Sequence, residues 1–174
     1  MPATNVDYIP EETGRTSYNA ERLFVFGLRC VQNGYDAEHF DQWREAWEGY
    51  RKYFGPRDCA PVLDALWRFV GTYRRFATCA TGYHRLDCPC LARDEYLSMA
   101  LLSALQHEDE ACTRMCLREM TRPTGRAAVQ TTAWQLTVEY LSLGQRFFPI
   151  SVTDVEMTLI TTEAIETAKN ATRH

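Results

Sequence analysis

The densest concentration of metal-ligating and nucleophilic side chains lies in His84-Arg85-Leu86-Asp87-Cys88-Pro89-Cys90, followed downstream by His107, Cys112 and Cys116. Cysteines four apart on a helix share a face, so Cys112 and Cys116 can both reach one ion. Soft, deprotonated ligands in sets of four are what zinc or an iron-sulfur cluster takes, with imidazole able to replace a thiolate at zinc. The candidate metal site is therefore Cys88, Cys90, Cys112 and Cys116, with His84 or His107 standing in for one of them. It requires the loop from 79 to 93 to fold back over the helix that carries Cys112 and Cys116.

The spacing matches no standard zinc pattern, because a single residue separates Cys88 from Cys90 where about two to four are favoured. Free cysteine is also among the most buried residue types, so Cys112 and Cys116 equally suit a packing role. A thiol enzyme would use Cys88 or Cys90 as nucleophile and His84 or His107 as base, with Arg85 and Arg93 lowering the thiol pKa. No cysteine-protease signature or Cys-x-x-Cys redox pair supports that chemistry. The sequence also lacks a glycine-rich phosphate loop, a G-x-S-x-G elbow and an H-E-x-x-H motif. His107-Glu108-Asp109-Glu110 reads as a solvated helix junction.

Composition narrows the field. The formal net charge is −4, which disfavours nucleic acid as the main partner because phosphate neutralisation needs a dense basic footprint. The hydrophobic fraction of 45% is enough for one sizeable core. Only Lys52 and Lys169 among the 19 basic residues are lysine, a bias that fits a GC-rich bacterial genome. Seven cysteines is an odd number, which argues for reduced thiols rather than a disulfide framework, and no signal peptide or long apolar span is legible. The expected compartment is the cytoplasm, away from the membrane.

The elements that must hold these residues are helical. An extended arm is expected over 1–15, where Pro2, Pro10 and Gly14 break any period. One helix is expected from about Asn19 to Asn33, stopped by Gly34. A second, capped by Asp36, carries Phe40, Trp43, Trp47, Tyr50 and Phe54 as its inward stripe. A third runs from Asp58 to about Thr78 across the Gly55-Pro56 turn, and 79–93 follows as an irregular connection. The segment 94–106 is apolar nearly all round and becomes the central helix. Another helix follows to about Thr121 with Ala111, Met115 and Met120 inward. Residues 126–143 read as helix despite the alternating run Trp134 to Tyr140. A final helix opens on a Thr153/Glu156 capping box.

These readings give an all-α bundle of six or seven helices over 16–174, with an irregular cysteine-containing loop. The function expected of such a domain is that of an interaction, regulatory or accessory protein, partnered by another protein or by itself. Metal binding is the alternative.

Overall fold

The computed structural model describes residues 18–37 and 40–171. The proposed arm over 1–15 lies outside the described residues. Seven α-helices account for nearly all the regular structure among the described residues: α1 (Tyr18–Ala37), α2 (Phe40–Phe54), α3 (Cys59–Phe76), α4 (Arg93–Gln106), α5 (Glu110–Met120), α6 (Arg126–Ser142) and α7 (Val152–Ala171). A single 3₁₀ turn, Pro123–Gly125, joins α5 to α6. The chain is thus an all-α bundle, and α4 is its axis, in contact with α1, α5, α6 and α7. That position explains why α4 shows almost no polar face: it is covered on all sides.

Each helix end has a local cause. Gly55 (φ 87°) and Gly144 (φ 70°) adopt the left-handed conformation that ends α2 and α6. Asp109 caps α5 by accepting the Cys112 N–H at 2.9 Å. Asp58 occupies the cap position of α3 but makes no side-chain capping bond. The cap of α7 is two residues earlier than the sequence suggests: Ser151 N–H donates to Asp154 Oδ2 at 2.9 Å, and Asp154 N–H donates to Ser151 Oγ at 3.2 Å. That reciprocal pair replaces Thr153 and Glu156. Two backbone bonds, Thr78 N–H to Met120 O at 3.1 Å and Arg122 N–H to Phe76 O at 2.9 Å, tie the end of α3 to the end of α5.

The core is organised by aromatics. Tyr50 Oη donates to Leu23 O at 3.1 Å and lies 2.8 Å from Tyr140 Oη. Tyr140 therefore donates to Tyr50, and both hydroxyls are satisfied in the interior. Phe24, Phe147 and the Tyr140 ring meet one another edge-on, with centroids between 5.3 and 6.5 Å apart. Gly27 makes this possible, since a Cβ there would collide with the Tyr50 ring and Leu66.

Several faces are turned from their expected phase. Gly34 does not stop α1, which continues to Ala37 and so includes Asp36 rather than leaving it as a cap. The glycine instead admits the Trp43 indole, 3.3 Å from where a Cβ would stand. In α2 the buried centre is Ala46, Gly49 and Tyr50, while Trp43 is half-buried against Trp67 at 4.5 Å. Trp47 is 40% exposed, because it stands about 100° round the axis from Ala46. In α5 the inward residues are Cys112, Cys116, Leu117 and Met120, with Ala111 exposed. In α6 the buried face is Val129, Ala133, Leu136 and Tyr140, leaving Trp134 and Val138 outside.

These placements separate two residues that the sequence treats alike. Tyr50→Phe should cost about 1 to 3 kcal/mol, since Tyr140 loses its buried acceptor. Trp47→Ala should cost well under the roughly 3 to 5 kcal/mol typical of a core aromatic. Urea denaturation of the two variants checks the ranking.

Candidate functional site

Arg29 is the only charged residue in the apolar run from Leu23 to Val31, and its side chain is fully buried. Its Nε donates to Glu95 Oε1 at 2.7 Å and its Nη2 to Oε2 at 2.8 Å, a bidentate ion pair between α1 and the first turn of α4. The remaining N–H groups go to backbone: Nη1 to Cys88 O at 2.7 Å and Arg85 O at 3.1 Å, and Nη2 to Cys90 O at 2.6 Å. All five guanidinium donors therefore have acceptors. Glu95 is equally occupied, with Oε1 accepting His84 N–H at 3.0 Å and Oε2 accepting Ala92 N–H at 2.9 Å. Asp94 adds a bond from Gly82 N–H at 2.6 Å.

The part of the connection from 82 to 92, which lacks secondary structure, is in this way fastened to α1 and α4. Cys88 and Cys90 contribute their carbonyls to the fastening, and their side chains stand half-buried and exposed respectively. His84 lies half-buried beside a polar recess with Asn33, Gln42 and Tyr83. His107 caps the C-terminal end of α4, about 20 Å along the helix from its first turn, where its Nε2 donates to Phe147 O at 3.0 Å. It is not placed to serve a thiol in the loop.

Cys112 and Cys116 do share a face of α5, and both are buried. The Cys116 thiol donates to Cys112, which lowers the Cys112 pKa and raises that of Cys116. Burial pushes the Cys30 thiol up to about 12, so it stays protonated near neutrality. Among the described residues no group of three or more His, Cys, Asp and Glu side chains is arranged to hold a metal ion. The structure thus brings Cys112 to Cys116, but does not assemble Cys88, Cys90, Cys112, Cys116, His84 and His107 into one ligand set.

The fastened loop instead forms one wall of a cleft of about 620 Å³. Val25 from α1, Tyr96 and Met99 from α4, Leu91 from the loop, and Phe148 and Ile150 beyond α6 make it predominantly apolar. Leu91 and Phe148 are 41% and 50% exposed at its rim. The segment carrying Phe148 is held by side chains: Phe147 N–H donates to Gln106 Oε1 at 2.7 Å, Ser103 Oγ to Phe148 O at 2.6 Å, and Ile150 N–H to Ser103 Oγ at 3.2 Å. Phe148 N–H also donates to Glu21 Oε1 at 2.5 Å. Desolvation raises the Glu21 pKa, partly offset by that bond from Phe148.

Sequence reasoning missed Arg29, Glu95 and Glu21. The signal for Arg29 was present, since a lone charge within an apolar helical run must find a buried partner. Nothing local marked Glu95 or Glu21, whose partners lie 66 and 127 residues away. Comparisons with protein-family models, with curated proteins and with solved structures found no match for this chain.

Arg29→Met should cost about 3 to 5 kcal/mol by leaving Glu95 buried without its cation. Amide exchange across 82–92 should accelerate in the same variant, because three carbonyls lose their donor. Thiol labelling of the native protein should modify Cys79, Cys88 and Cys90 rapidly and the four buried cysteines only on unfolding; mass spectrometry reads the order. The raised Glu21 pKa makes its contribution to stability full below the ordinary carboxylate range and lost as pH rises through the folded-state value. Glu21→Gln, which keeps an acceptor for Phe148, should gain on the wild type as pH rises through that window in melting curves.

Proposed function

We propose that this chain is an interaction protein, of accessory or regulatory kind, that takes apolar side chains of a partner protein into the cleft between α1, α4, the 82–92 loop and the segment around Phe148. The observation that carries the reading is a cleft of about 620 Å³ with exposed Leu91 and Phe148 at its mouth. That size lies within the usual range of roughly 300 to 1,000 Å³ for binding sites. Its walls are held in place by hydrogen bonds that Arg29 and Ser103 donate and that Glu95 and Gln106 accept, so little ordering entropy remains to be lost when a guest enters. Large apolar side chains exposed together at a concave surface are the usual mark of a recognition site.

The lining supplies apolar contact from Val25, Leu91, Met99, Phe148 and Ile150, the chemistry that receives apolar side chains. Among the described residues no helix is long and apolar enough to cross a membrane, and the apolar mouth suits a protein partner.

A neutral apolar reporter, N-phenyl-1-naphthylamine, tests the cleft directly. Saturable fluorescence enhancement at one site per chain is expected. Leu91→Asp and Phe148→Asp should each weaken binding about tenfold or more while leaving circular dichroism and melting nearly unchanged, since both residues are exposed. Equal binding by these variants and the wild type would sink the assignment.

A further inference from the structure

We propose that the guest of this cleft is cationic, an apolar partner segment whose lysine or arginine head lies against Glu21. The inference rests on the cleft being the binding site. Its basis is the way Glu21 is held. Oε1 accepts Phe148 N–H, whereas Oε2 is buried and has no hydrogen-bond partner. A neutral amide would satisfy Phe148 equally well without placing a desolvated charge in the wall, so the carboxylate is a cost in the free protein. A positive group in the apolar cleft offsets that cost, because charges attract strongly where water is displaced. The other acid of the cleft, Asp87, is engaged by Arg85 at 3.3 Å. The net charge of −4 favours encounter with a basic segment over an acidic one.

The titratable and charged groups around Glu21 are Arg22 on α1, Asp87 on the loop, Tyr96 on α4 and Tyr140 on α6. Desolvation raises the Glu21 pKa, and burial likewise raises both tyrosines, which stay neutral. Linkage then requires a cationic guest to bind more tightly as pH rises through the Glu21 transition, while a neutral guest of the same length shows no such trend.

The test is a titration of the full chain with octylammonium, octanol and octanoate, followed by NMR shifts at Val25, Leu91, Met99 and Phe148. Octylammonium should bind roughly tenfold tighter than octanol near neutral pH, and octanoate most weakly. Glu21→Gln should reduce octylammonium to the octanol level without weakening octanol. If the two bind alike in wild type and variant, the cationic guest is overturned while the cleft stands. If none of the three perturbs the cleft, both are overturned. Shifts from octylammonium confined to exposed acids such as Glu45 and Glu48 also overturn the proposal.

Discussion

The structure depends on one buried ion pair. Arg29 and Glu95 meet in the interior with side chains 0% and 1% exposed, where neither charge could persist without the other. Removing a guanidinium and a carboxylate from water is expensive, and their mutual attraction offsets that only when every donor and acceptor is used. Here every guanidinium donor is used, and Glu95 accepts two backbone N–H groups besides. The pair joins α1 to the start of α4 and draws in the carbonyls of Arg85, Cys88 and Cys90, so a stretch without secondary structure acquires a fixed path.

From that path follow the other features of the same end of the molecule. Leu91 faces the cleft because the residues on either side of it are fastened, Cys90 by its carbonyl to Arg29 and Ala92 by its N–H to Glu95. The opposite wall is set in the same manner by Ser103 and Gln106 of α4 and by His107 at its C-terminal cap, which satisfy the backbone around Phe147 and Phe148. Central helix α4 therefore supplies apolar packing to the bundle and polar anchors at both of its ends. Its Ser103 and Gln106, buried in an apolar surface, have their reason in this anchoring.

A hydrophobic contact in place of Arg29 and Glu95 could pack α1 on α4 as well or better, so stability alone does not account for the pair. What apolar groups cannot do is hold three carbonyls and two amides of a loop in one arrangement. The ion pair specifies a conformation, and the cleft is the consequence.

The sequence by itself determined the all-α class, the extent of most helices, the central place of 94–106, the turn at Gly55-Pro56 and the irregular loop between α3 and α4. These follow from apolar period, glycine and proline, which act over a few neighbouring residues. It did not determine the phase of each helix, because a broad stripe such as Phe40, Trp43, Trp47, Tyr50 and Phe54 is compatible with several rotations, and only packing against Phe26 and Trp67 puts Trp47 at the edge. Nor did spacing along the chain show where the cysteines and histidines would meet. Cys112 and Cys116 share a face because four residues separate them, a local fact, whereas Cys88, Cys90 and His107 were placed by partners far away in sequence. The clasp and the cleft rest on contacts between residues as much as 127 positions apart, and only the tertiary structure brings those together.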